Sequence, residues 1–154
     1  MLALVQRVSQ AAVRIEGKEH ARIGQGLLVF LGVHSSDSEE DVAYLLKKII
    51  GLRIFSDAEG KMNLDLAQIQ GEILLISQFT LYAQTRKGNR PSFIEAAGPD
   101  LAIPLYESMV QGLKAALPKV NTGVFGADMM VDLCNDGPVT ILLDSQDRLN
   151  SKSH

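Results

Sequence analysis

Apolar residues recur along this chain in two rhythms, and each rhythm predicts an element. Residues 2–8 (LALVQRV) are a β-rich run, and residues 12–15 continue it in alternation, with Val13 and Ile15 on one face and Arg14 and Glu16 on the other. Period-two alternation predicts a half-buried strand. Glu16, Gly17 and Lys18 suit a hairpin turn, and residues 20–23 return as a strand. After the break at Gly24, Gln25 and Gly26, residues 27–33 (LLVFLGV) are apolar throughout, as in a strand buried on both faces. The rhythm then changes. Val42, Leu45, Leu46, Ile49 and Ile50 recur at helical spacing behind a cap at Ser36 or Ser38. Acidic Glu39, Glu40 and Asp41 open this helix, Lys47 and Lys48 lie near its end, and Gly51 can stop it.

Further on, residues 52–55 suit a short strand and residues 57–60 a turn, while 62–70 fits no single element. Residues 72–76 are another buried strand, with 77–81 directly after it. The polar, basic stretch 83–91 is a loop. Residues 99–117 form a second helix with Leu101, Leu105, Met109, Leu113 and Leu117 on one stripe. Pro104 is placed in its first turn, where proline is tolerated. Residues 120–125, 129–134 and 139–143 are strands, and Asn135, Asp136, Gly137 and Pro138 are a strong turn signal. Residues 146–154 are expected to be a polar, mobile tail, with Ser145 at its start. Strands come in runs instead of alternating with helices. The predicted fold is α+β: a single domain over residues 1–145, with a curved, largely antiparallel, barrel-like sheet covered by two helices.

Composition narrows the function. A chain of 154 residues suits one domain and can support a full core. With no Trp and only 5% aromatic residues, that core must be aliphatic. The net charge of −3 argues against extensive nonspecific nucleic-acid binding, but not against a local patch gripping one end of an RNA. Cys134, the one cysteine, suits a reducing compartment. The opening residues lack a signal-peptide core, and no apolar run is long enough to span a membrane, so a cytoplasmic location is expected.

The usual hydrolase arrangements are missing. His20, His34 and His154 have no metal-ligand spacing, and there is no GxSxG elbow, CxxC pair or phosphate-binding loop. No metal or cofactor is expected. Cys134 lies among apolar residues and reads as a buried structural thiol in preference to a nucleophile.

Two motifs remain. Ser77, Gln78, Phe79 and Thr80, and then Asn135, Asp136, Gly137, Pro138, Val139 and Thr140, resemble the signature motifs of the D-aminoacyl-tRNA deacylase (D-tyrosyl-tRNA(Tyr) deacylase) family. The resemblance extends to Val5-Gln6-Arg7-Val8, Gly60-Lys61-Met62-Asn63, Thr85-Arg86-Lys87-Gly88, Arg90-Pro91-Ser92-Phe93 and Phe125-Gly126-Ala127-Asp128-Met129. It implies a homodimer with active sites at the subunit interface. D-aminoacyl-tRNA would be the substrate, and glycyl-tRNA mischarged on tRNA(Ala) would also be accepted. It further implies a cis bond between Gly137 and Pro138, which taken alone would be read as a trans turn. This pair would reach into the partner's pocket and face the end of the strand at Ser77, Gln78, Phe79 and Thr80. Its carbonyls would hold the substrate's α-ammonium, and its rigid wall would clash with the Cβ of an L-residue, as specificity by exclusion requires.

Each residue also has a plainer reading. Ser77 to Thr80 could simply end a strand with Phe79 in the core, or could aim the Phe79 and Thr80 amides at an oxyanion. Thr80 could be a nucleophile, but it lacks an activating base nearby in sequence, so the vicinal 2′-OH of the terminal adenosine is the expected helper. Arg7 could lie on a solvated face or brace the Gly-Pro loop. Phe125 and Met129 could line the pocket or pack the core. Arg86, Lys87 and Arg90 could be a solvated loop or meet roughly two to four acceptor-end phosphates. Two rival functions stay open: a hydrolase of small D-amino acid esters, and a non-catalytic RNA-binding module.

Overall fold

The structure is a computed structural model and describes residues 1–150. The first strand, β1 (Leu2–Ile15), is continuous. It turns through Glu16 and Gly17, at φ 52° and 77°, into β2 (Lys18–Ile23), the hairpin expected there. Strand β3 (Gly26–Gly32) and helix α1 (Glu39–Gly51) follow. Of the candidate caps, Ser38 occupies the N-cap position, and its backbone N–H donates to the Asp41 carboxylate at 2.9 Å. Gly51 is the last helical residue, and Leu52 is the C-cap. The strand expected at 52–55 shrinks to β4 (Phe55–Ser56), paired with β5 (Met62–Leu64).

Then come β6 (Glu72–Ser77), a 3₁₀ turn (Phe79–Tyr82), α2 (Pro99–Ala116), β7 (Val120–Thr122), β8 (Met130–Asp144) and α3 (Asp147–Asn150). Pro99 begins α2, so Pro104 lies beyond the first turn where it was expected. The missing Pro104 N–H leaves the carbonyl one turn back without its intrahelical bond.

Six strands form one sheet in the order β2-β1-β3-β6-β7, with β8 along the other edge of β1. The pairs β1–β2, β1–β3 and β1–β8 are antiparallel. The expectation of a largely antiparallel sheet thus holds around β1, but β3–β6 and β6–β7 are parallel. Gly26 permits the close approach of β3 to β6: a Cβ there would lie 1.8 Å from the Glu72 carbonyl oxygen. The sheet curls until Asn121 of β7 donates to the Arg22 carbonyl of β2 at 3.3 Å.

This curl explains why residues 27–33 are apolar without alternation. Leu27, Val29 and Leu31 face the helices, packing with Val42, Leu45 and Ile49 of α1 and Leu105, Met109 and Leu113 of α2. Leu28 faces the inside of the curl with Val8, Val13, Ile23, Leu74 and Ile76. The buried core is aliphatic apart from Phe55 and Tyr106.

Two expectations fail near the C-terminus. Ser145 does not begin a mobile tail. It is fully buried, and its hydroxyl accepts from the Met1 ammonium at 2.7 Å. Beyond it, α3 is tied back through Arg148, which pairs with Glu40 at 3.2 Å and Asp41 at 3.3 Å. The rest of the expected tail, 151–154, lies outside the described residues, and His154 with it. Cys134 is exposed, not buried; among the described residues β8 is bonded to a neighbour only along its β1 side.

Candidate active site

The end of β6 is placed by its neighbour. The Gln78 N–H donates to the Leu31 carbonyl at 2.8 Å, which extends the β3–β6 pairing by one residue. The chain then leaves the sheet as the 3₁₀ turn. Helix starts leave N–H groups without intrahelical partners. The N–H groups of Phe79 and Thr80 accordingly have no acceptor among the described residues. The Gln78 side chain donates to the Thr80 hydroxyl oxygen. Thr80 is exposed, and among the described residues no hydrogen bond links its hydroxyl to a histidine or carboxylate that could act as a base.

Phe79 is not in the core. It is 54% exposed, and its ring meets Phe93 edge-to-face at 5.1 Å. Beside it opens a cleft of about 290 Å³ whose lining includes Ser77, Gln78, Phe79, Phe125, Asp128 and Met129. Ala97 closes one wall, held where its N–H donates to the Val33 carbonyl at 2.9 Å. Phe125 serves both readings given to it, lining the cleft while packing on the main core. Its ring lies 5.9 Å from that of Tyr106, whose hydroxyl donates to the Leu75 carbonyl at 3.1 Å. Burial pushes the Tyr106 phenol up to about 12, so it stays neutral and structural. Met129 likewise lines the cleft and packs against the inner cluster. Asp128 is the one ionisable side chain in the lining. Nothing in the sequence tells which residues of the stretch 125–129 face the cleft, so the position of Asp128 emerges only from the structure.

The second motif is not a turn between two strands. Thr140 pairs with Gln6 and Asn135 with Val8, so residues 136–139 bulge from β8 opposite Arg7. The Gly137–Pro138 peptide is cis. Asn135 pins the base of the bulge: its Oδ1 accepts from the Val139 N–H at 2.7 Å, and its Nδ2 donates to the Thr140 hydroxyl at 2.9 Å. Arg7 is not on a solvated face. Its side chain is only 11% exposed, with Nε donating to the Asp136 carbonyl at 2.8 Å and Nη1 to the Ile54 carbonyl at 2.6 Å. Gly137 has φ +145°, and a Cβ there would lie 2.7 Å from Val139 Cγ2.

Neither Gly137 nor Pro138 lines the cleft of its own chain, and neither does Thr80. Arg86, Lys87 and Arg90 are exposed on the loop after the 3₁₀ turn and pair with no carboxylate among the described residues. Those residues include no cluster of three or more His, Cys, Asp or Glu able to hold a metal. No described helix is long and apolar enough to cross a membrane.

Comparison with known proteins identifies the family. The family model for D-Tyr-tRNA(Tyr) deacylase matches residues 4–144. A D-aminoacyl-tRNA deacylase of Cytophaga hutchinsonii is 58% identical over 149 residues, covering 96% of this chain and 99% of that protein. One from Flavobacterium psychrophilum is 54% identical over the same shares. A solved structure described as c-Myc DNA Unwinding Element Binding Protein superposes with a TM-score of 0.89 at 39% identity, covering 94% of this chain and 98% of that one. A probable eukaryotic D-amino acid tRNA deacylase shares the fold, with a TM-score of 0.80 at 17% identity over 92% of this chain and 97% of its own.

Proposed function

The chain belongs to the D-Tyr-tRNA(Tyr) deacylase family and is a D-aminoacyl-tRNA deacylase, a hydrolase of the aminoacyl-tRNA ester; from that premise we propose that it edits by chirality, as a cytoplasmic homodimer, with one subunit's Gly137–Pro138 bulge closing the other's cleft. The aminoacyl group enters beside Ser77, Gln78 and Phe79, with Phe125 and Met129 as the apolar wall. The unpaired N–H groups of Phe79 and Thr80 steady the oxygen that becomes negative as water adds to the ester carbonyl. Water is the nucleophile. The neighbouring 2′-OH of the terminal adenosine orients it, since no base among the described residues is bonded to the Thr80 hydroxyl. Arg86, Lys87 and Arg90 meet the phosphates leading to that adenosine.

The partner's bulge supplies selection. Its carbonyls accept from the substrate α-ammonium, and its backbone fills the space an L-side chain would need. A D-side chain points away, and glycine has no Cβ to exclude, so glycyl-tRNA is also cleaved. One observation carries the reading: Ser77, Gln78 and Phe79 of the first motif line the cleft while the second motif is braced by Arg7 outside it. Each chain therefore holds half of a site, which a two-fold dimer would join.

Matched deacylation assays on D-Tyr-, L-Tyr- and Gly-tRNA with EDTA present test this. Turnover of the D- and glycyl substrates with L-Tyr-tRNA spared is expected. Equal cleavage of L-Tyr-tRNA would remove the exclusion mechanism. Activity that survives replacing the 2′-OH by hydrogen would point instead to a general esterase.

A further inference from the structure

A second cleft, of about 600 Å³, opens at the C-terminal end of α1 and takes no part in the site described above. Tyr44, Lys47, Lys48, Gly51, Leu52 and Arg53 line it. The three cations are exposed, the lining contains no carboxylate, and none of the three forms an ion pair among the described residues. Lysines near a helix C-terminus offset the helix dipole, and that alone could account for Lys47 and Lys48. It does not account for Arg53, which lies beyond the helix and is held in place. Its Nε donates to the Asn63 carbonyl at 2.9 Å, and its Nη2 reaches the Asn63 side-chain oxygen. Lys48 is likewise steered, its ammonium 5.6 Å from the Tyr44 ring centroid.

The position of the cleft gives it a meaning. Arg53 directly precedes Ile54, whose carbonyl is one of the two that Arg7 grips; the other belongs to Asp136, at the start of the Gly137–Pro138 bulge. One guanidinium thus joins the rim of the basic cleft to the bulge. We propose that Lys47, Lys48 and Arg53 form a second phosphate-binding surface, distinct from Arg86, Lys87 and Arg90, that takes the backbone of the tRNA body. This rests on the reading that the substrate's aminoacyl end lies against the bulge. An open groove of separated, partly fixed cations and no anion suits a polyphosphate backbone better than a single small anion, which calls for an enclosed site.

The test compares full-length D-Tyr-tRNA with D-tyrosine esterified to a CCA trinucleotide, which has the reacting end but no tRNA body. In the Lys47→Gln/Lys48→Gln double variant, KM for D-Tyr-tRNA should rise about tenfold at low salt with kcat unchanged. The slope of log(kcat/KM) against log[salt] should flatten by roughly 1 to 2, at about 0.7–0.9 per lost phosphate contact. Turnover of the trinucleotide ester should match wild type, and Lys47→Arg/Lys48→Arg should restore tRNA turnover and its salt slope. An unchanged KM and salt slope on tRNA would overturn the proposal. So would an equal loss on the trinucleotide ester, which would mark the lysines as structural. Wild-type protein inactive on both substrates would sink the underlying reading, and this one with it.

Discussion

Among single residues, the proposed mechanism asks the Phe79 and Thr80 amides to steady the oxyanion and Arg7 to brace the bulge through the Asp136 and Ile54 carbonyls. The Thr80 hydroxyl is bonded to Gln78 and not to a base. Thr80→Ala should therefore keep most of the wild-type kcat in single-turnover deacylation. A loss beyond about a thousandfold would show a nucleophile instead, since covalent catalysis is worth that scale. Gly137 is more exacting. At φ +145°, with a Cβ 2.7 Å from Val139 Cγ2 and 3.1 Å from the Arg7 guanidinium, any side chain is strained. Gly137→Ala should cost about 1–3 kcal/mol in urea unfolding and lower deacylation by at least tenfold. Arg7→Lys keeps the charge but not the fork that holds two carbonyls at once. It should loosen the bulge and raise L-Tyr-tRNA cleavage relative to D-Tyr-tRNA, read from the ratio of the two kcat/KM values.

At the scale of elements, the start of α1 is a junction. The Asp41 carboxylate is 2% exposed and accepts from the Ser38 N–H and from Arg148 of α3. Burial pushes its pKa up, but bonds from Ser145, Ser38 and Arg148, with the Met1 ammonium nearby, outweigh this and hold it below the usual 3.8. A carboxyl depressed on folding contributes stability in full above its unfolded value, and loses it as pH falls through the folded one. Wild-type stability should thus drop below about pH 4, while Asp41→Asn should be about 1–2 kcal/mol less stable at pH 7 and show a flatter acid limb. Chemical denaturation across that range checks both. Both main helices were legible in sequence because a stripe at helical spacing has one stable solution, burial against the sheet. The tie of α3 to α1 was not, because Arg148 and Asp41 lie 107 positions apart and nothing local couples them.

At the scale of the molecule, β8 leaves apolar side chains in water. Met130 is 63% exposed, Leu142 57% and Leu133 39%, on a strand that among the described residues is bonded to a neighbour only through β1. Exposed apolar edges of this kind mark contact surfaces. The dimer proposed above would cover them. Leu133→Asp/Leu142→Asp should give a folded monomer by light scattering with an unchanged far-UV spectrum, and deacylation should fall by at least a hundredfold because each cleft loses its partner's bulge. A variant that stays dimeric and active would place the interface elsewhere.

Whatever depends on local period and local chemistry can be read from the order of residues alone. The two helices followed from spacing, the hairpin at Glu16 and Gly17 from turn residues and the doubly buried β3 from an unbroken apolar run, and the two motifs were recognisable as they stood. That order could not determine which residues share a surface. Cys134 looked internal because its neighbours are apolar, yet whether β8 is covered depends on what lies along its other edge. Residues 135–138 looked like a turn because their types favour one, yet pairing of both flanks with the same strand β1 makes them a bulge. Asp128 and the Lys47–Lys48–Arg53 cleft acquire meaning only through neighbours far away in the chain. Local propensity acts over a few residues, whereas a site is made by contacts between distant ones, and these are fixed only when the sheet curls and the helices close over it.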